Sequence, residues 1–165
     1  MNWLLRISLN FANYAQIEPT DKLKGKLIMS SPHKKNRFKI GLIEGGGTKF
    51  CLAVSSQSGN ILDKQKIPTS NPKATMNKIF RYFDSFESLI GFGVGMFGPM
   101  NLNKDSPDFG KILNTPKLGW SGVNIKRHLE ERYNVSVSIE TDVNTAALGC
   151  YHLLDLPASK LVSYV

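Results

Sequence analysis

The residues of this 165-residue chain that are equipped for chemistry fall in three short stretches. The first is Glu44-Gly45-Gly46-Gly47-Thr48-Lys49. Successive glycines let backbone N–H groups turn to one side and form a concave nest for an anion. Thr48 adds a hydroxyl donor, and a carboxylate just upstream suits a hydrated divalent cation. A strand follows these glycines where a dinucleotide fingerprint needs a helix, and the G-x-x-x-x-G-K-[ST] spacing of a Walker loop is absent. A glycine-rich hairpin turn without any ligand explains the triplet equally well.

The second stretch, Thr141-Asp142-Val143-Asn144, falls at a strand-to-helix junction. That places Asp142 and Asn144 beyond the carboxyl end of a strand, where ligands bind in α/β sheets. An aspartate there can take the proton of a hydroxyl as it attacks a phosphate. Taken alone, Asp142 is better explained as the N-cap of the helix. The third stretch is Gly95-Met96-Phe97-Gly98-Pro99, with Thr115-Pro116-Lys117-Leu118-Gly119-Trp120 closing the same loop. It reads as a sugar-binding wall or as an ordinary packed loop, and Trp120 as core rather than ligand contact.

The elements that must hold these stretches are legible from periodicity. Lys39–Glu44 is expected to be a strand, Gly45–Gly47 a tight turn with positive φ angles, and Thr48–Val54 a second strand. Ser55–Asn60 supplies another turn and Ile61–Ile67 a third strand, so the first three strands form an antiparallel meander. Asn71 and Pro72 are a good N-cap and first residue for a helix whose apolar face is Met76, Ile79, Phe80 and Phe83. Leu89–Gly95 has the apolar, glycine-laced pattern of a buried strand with something close to its backbone. A loop over 96–120 is long enough to suggest function. Ser121 is the expected cap of a second helix carrying Val123, Leu129 and Tyr133, followed by a strand over Val135–Glu140. A third helix over Asp142–Leu154 and a strand from Leu161 to Val165 complete the order. Three meander strands followed by alternating helices and strands predict an α/β domain with a mixed sheet.

Composition narrows the class. The chain is 41% hydrophobic and 21% charged, ordinary for a soluble globular domain, and it has no apolar run that could span a membrane. Its net charge of +8 hints at nucleic acid until it is mapped. Residues 1–39 hold eight Lys/Arg against two acidic residues, whereas 40–165 hold thirteen against eleven. The basicity thus belongs to a leader, and the body has no nucleic-acid face to expect. The leader reads as poorly structured, with Met29 as a candidate true start ahead of the Ser30-Ser31-Pro32 break. Cys51 and Cys150, both in apolar surroundings, read as buried reduced thiols of a cytoplasmic protein.

In order, the chain contains I-E-x-G-G-T-K-F at Ile43–Phe50, G-x-F-G-P at Gly95–Pro99 and S-P-x-[FY]-G at Ser106–Gly110. T-P-K-x-G-W at Thr115–Trp120 and T-D-V-N-x-A-A-L-G at Thr141–Gly149 follow. With these five motifs the chain resembles the ROK family (repressors, open reading frames and kinases), and within it the bacterial fructokinases. The resemblance covers Ile40 to Val165. It implies an actin/hexokinase-like (ribonuclease H-like) ATPase lobe, with ATP and magnesium as cofactors and ATP-dependent phosphorylation of a hexose, fructose to fructose 6-phosphate. It implies that Glu44, Gly45, Gly46, Gly47, Thr48 and Lys49 hold the ATP phosphates, with Glu44 the candidate for magnesium. Asp142 would be the catalytic base, Asn144 would help to hold the sugar, and Phe97, Gly98 and Pro99 would shape its pocket. Sugar and ATP are the implied partners, and a homodimer the implied assembly.

Several positions depart from the family pattern. Gly45 stands where alanine is usual, Met96 where a small residue is usual, Asn101 where aspartate is usual, and Thr145 and Cys150 replace alanine and glutamate. Met96 is the departure expected to disturb the pocket. Family members are considerably longer than the matching region and continue into a second phosphate loop, further sugar ligands and, in many, a Cys/His zinc site. The chain is therefore expected to be the amino-terminal lobe, inactive by itself because phosphoryl transfer needs both sides of a cleft. A non-catalytic remnant fits the same residues. A ROK-type transcriptional repressor is the remaining alternative, and it would need a DNA-binding helix pair that the leader lacks.

Overall fold

The computed structural model describes residues 38–153. The expectations for the leader before residue 38 and for a strand at Leu161–Val165 lie outside the described residues. Five strands form one sheet: β1 (Lys39–Gly45), β2 (Lys49–Ser56), β3 (Ile61–Pro68), β4 (Leu89–Met96) and β5 (Ser136–Thr141), in the order β3-β2-β1-β4-β5. β1, β2 and β3 pair antiparallel, and β4 lies parallel to both β1 and β5. The expected meander and mixed sheet are present. Lys39, counted with the leader by charge, is the first residue of β1, and its N–H donates to the Ser88 carbonyl.

Helix α1 (Pro72–Phe83) opens as its sequence dictates, with the Asn71 side chain accepting from the Ala74 N–H and Pro72 in the first turn. Its apolar face buries Met76, Ile79 and Phe83, with Phe80 half-buried beside them. Helix α2 (Ile125–Tyr133) begins later than expected, because Asn124 caps it through Arg127 N–H. Ser121 is spent elsewhere, its hydroxyl accepting from the Thr115 N–H. Helix α3 (Asp142–Leu153) follows β5 without a connecting loop.

Strand alternation divides the sheet into two unlike faces. Ile43, Phe50, Leu52, Phe92, Val94 and Met96 point to the side covered by α1 and α2, where they form the larger core cluster. Each ring or branched side chain fully buried there contributes roughly 1.5–3 kcal/mol. Ile40, Leu42, Cys51 and Ala53 point to the other side and make a smaller cluster. Helix α3 packs on that second side against β4, where Gly95 makes room. A Cβ there would lie 3.0 Å from Thr145 Oγ1, so the strand does approach another element at its backbone.

The stretch between β4 and α2 is an ordered loop stitched by two isolated bridges, Met100 with Ile112 and Lys111 with Asn124. The Gly98–Pro99 peptide in it is cis. Trp120 anchors its far end, 1% exposed, stacked on Phe50 at 5.5 Å and edge-on to Phe97 at 5.4 Å. Its indole N–H donates to the Ser70 carbonyl at 2.8 Å, so Trp120 is core, as its sequence context suggested.

Candidate functional site

The three parallel strands end at the same level. Glu44, Gly95 and Glu140 lie in register across β1, β4 and β5, and Gly45, Met96 and Thr141 form the next row. The three chemical stretches therefore leave the sheet side by side, at the carboxyl ends of parallel strands. The N–H of Phe97 donates to the Gly45 carbonyl at 2.8 Å and ties the first turn to the second.

None of Gly45, Gly46 or Gly47 lies in the left-handed region, contrary to the expected positive φ angles. The glycines are there for clearance. A Cβ on Gly45 would clash with Met96 Sδ and lie 2.8 Å from the Phe50 ring; one on Gly46 would meet the Lys49 carbonyl at 3.0 Å. Gly46 N–H closes the hairpin by donating to the Lys49 carbonyl, and Thr69 holds the turn from outside, its hydroxyl donating to the Gly46 carbonyl at 2.8 Å. Among the described residues nothing accepts from the N–H of Gly47 or of Thr48, nor from the Thr48 hydroxyl. The nest thus offers a shorter run of donors than the triplet suggested.

The clash at Gly45 also explains two departures from the family pattern at once. Met96 is fully buried, and its thioether occupies the space that an alanine methyl at position 45 would need. Met96 fills the core beneath the turn. Phe97 is likewise buried against Trp120, while Gly98 is half-buried and Pro99 exposed.

At the third stretch the N-cap role falls to Thr141, whose hydroxyl accepts from the Asn144 N–H at 3.2 Å. Asp142 is left half-buried in the first turn of α3, with one carboxylate oxygen accepting from the Val143 N–H at 2.9 Å. Asn144 is exposed and donates to Glu140 through its side chain. The plainer explanation of Asp142, as cap, is not what the geometry shows.

Glu44 is half-buried on the second face, and its carboxyl is pushed up from the ordinary range. Loss of hydration is the main cause; a hydrogen bond from the Cys51 thiol opposes it and the nearby Asp142 charge adds to it. Cys51 is buried and its thiol is pushed up by burial and by Glu44. Cys150 is half-buried, more open than its apolar surroundings suggested. Among the described residues no group of three or more His, Cys, Asp or Glu side chains is placed to hold a metal ion. No helix among them is long and apolar enough to cross a membrane.

Residues 40–161 match the profile of the ROK family. The chain belongs to the ROK family. It is 42% identical over 121 residues to a fructokinase of Zymomonas mobilis, covering 70% of this chain and 40% of that protein. It is 40% identical over 109 residues to a fructokinase of Lactococcus lactis, covering 66% of this chain and 37% of that one. The ROK chain thus spans well under half the length of these curated relatives. Among solved structures it resembles a ROK family glucokinase from Streptomyces griseus in complex with glucose and AMPPNP, with a TM-score of 0.55 and 25% identity. That match covers 69% of this chain and 36% of the glucokinase. The fold is that of the actin-like ATPase lobe of ROK sugar kinases.

Three features of the site escape a reading of sequence alone: the Cys51 thiol beside Glu44, the Thr69 hydroxyl that braces the turn, and Lys117, whose side chain lies against Gly47. The first follows from the exact hairpin register, which pairs Glu44 with Cys51; the other two join residues far apart in the chain, so no local pattern marks them.

Proposed function

We propose that this ROK chain is the nucleotide-phosphate and sugar-facing lobe of a fructokinase, which transfers the terminal phosphate of ATP to a hydroxyl of fructose. The observation that carries the reading is the common exit of the three motifs at one sheet edge, with two carboxylates and a donor-rich turn gathered there. Gly47 and Thr48 donate to the phosphates through backbone N–H groups and the Thr48 hydroxyl, within the turn framed by Glu44, Gly45, Gly46 and Lys49. Asp142 accepts the proton of the attacking hydroxyl, its charge kept available because Thr141 caps the helix. Asn144 and the Phe97-Gly98-Pro99 wall position the sugar. The hard oxygen donors of Glu44 would suit magnesium, which would neutralise charge on the phosphates when bound.

Fructose is favoured over glucose by the higher identity to the relatives named fructokinase than to those named glucokinase, 36–42% against 29–30%. The test is ATP-dependent phosphorylation of fructose and glucose by two polypeptides: the 165-residue chain, and the same chain completed with the downstream half of a fructokinase relative. The first is expected to be inactive and the second to prefer fructose. Preference for glucose in the completed enzyme would refute the sugar assignment. Turnover by the 165-residue chain would refute the need for an opposing lobe.

A further inference from the structure

Lys117 lies in the T-P-K-x-G-W motif, far along the chain from the glycine turn, yet the fold brings the two into contact. A Cβ on Gly47 would lie 3.0 Å from Lys117 Cε and 3.3 Å from Nζ. The side chain is half-buried, and among the described residues no carboxylate pairs with its ammonium. A partly desolvated cation without a counter-ion, set beside two N–H groups and a hydroxyl that also lack acceptors, is an arrangement of donors awaiting an anion.

The loop holds Lys117 there rather than letting it drift. Trp120 is locked into the core, and its N–H closes a turn onto the Lys117 carbonyl at 3.0 Å. Gly119, at φ +77°, bends the chain where a Cβ would sit 3.3 Å from Pro72 Cδ. The Lys117 N–H faces Thr115 Oγ1, and the Thr115 N–H is taken by Ser121 Oγ. Leu118, 93% exposed, points away while Lys117 points at the glycine turn.

We propose that Lys117 is a phosphate-contacting residue, its ammonium completing the anion site of Gly47 and Thr48 and binding the polyphosphate of a nucleoside triphosphate. This rests on the phosphate-turn reading above and adds a ligand from a different loop. It also gives the loop a function: the Trp120 anchor sets the position of a charge, so the core and the phosphate site are mechanically joined. Lysine suits this place, since a point charge on a flexible stem needs no fixed fork geometry.

The experiment is calorimetric titration of the 165-residue chain with ATP, inorganic tripolyphosphate and adenosine, at several salt concentrations. Wild type, Lys117→Met, Lys117→Arg and Arg81→Gln are compared, with melting curves to verify folding. Arg81 is exposed in the last turn of α1 and removes the same unit of charge elsewhere. Lys117→Met should weaken ATP and tripolyphosphate by roughly tenfold, the worth of a charge-assisted hydrogen bond. It should also flatten the salt dependence and leave adenosine unchanged. Lys117→Arg should recover part of the loss, and Arg81→Gln should bind like wild type. Wild-type binding that survives Lys117→Met would overturn the role of Lys117 and leave the glycine turn standing. A folded wild type that binds neither ATP nor tripolyphosphate would sink the phosphate-turn reading and this proposal with it.

Discussion

The two faces of the sheet are built from different materials and solve different problems. On the side under α1 and α2, rings and branched side chains from five strands and two helices interlock, with Phe83 edge-on to Phe92 at 4.9 Å and Trp120 stacked on Phe50. On the other side the cluster is small, and a half-buried carboxylate, a thiol and the first turn of α3 share the space near the strand ends. The first face carries most of the buried apolar side chains; the second accepts an energetic penalty, a desolvated Glu44. The contrast teaches that this ROK lobe leaves its half-buried carboxylate on the face that carries less of the apolar core.

Breaking the ring face should have the largest effect. Trp120→Ala removes a fully buried indole and its hydrogen bond to Ser70, and should destabilise the chain by about 3–5 kcal/mol in urea unfolding. Loss below about 1 kcal/mol would show that the loop is not anchored in the core. The next test sharpens the boundary between the faces. Gly45→Ala should cost about 1–3 kcal/mol by overpacking against Met96. In the double variant Gly45→Ala with Met96→Ala, the two changes should be non-additive by about 0.5–3 kcal/mol, because each relieves the other. Strict additivity would mean that the two departures from the family pattern are unrelated.

The smallest effect belongs to the charged face and has a defined pH dependence. The Glu44 carboxyl is raised in the folded chain, so the folded state holds that proton more tightly than the unfolded state does. Stability from this group is present at acid pH and lost as pH climbs above the ordinary carboxylate range through the raised value. Glu44→Gln should therefore melt higher than wild type at neutral pH, with the gain fading as wild-type Glu44 becomes protonated on acidification. A variant that melts lower at neutral pH would show that ionised Glu44 is stabilised by its surroundings.

How much of this was legible follows from the range of the interactions. Strands β1 to β5 and the capped start of α1 were readable because alternation, Asn71 and Pro72 act within a few residues. The start of α2 was misplaced because Ser121 and Asn124 are both capping types, and sequence does not say which side chain the loop has already engaged. The glycine turn was located correctly and explained wrongly: the need for glycine comes from Met96, Phe50 and Lys49 pressing on it, not from its own dihedral angles. Thr141 and Asp142 are both capping types at one helix start, and which of them caps is not marked by residue type; Lys117 over Gly47 depends on tertiary placement that no spacing encodes.

The most direct test of the site is the turnover of an Asp142→Asn variant, measured in the chain completed with a fructokinase downstream half and saturated with ATP and fructose. Asparagine keeps the shape and the contact to the Val143 N–H but cannot accept the proton. A positioned base is worth roughly 10²- to 10⁴-fold, so kcat should fall by that factor with little change in KM for either substrate. A variant that turns over like wild type would leave Asp142 as an ordinary first-turn residue of α3 and contradict its place as the base.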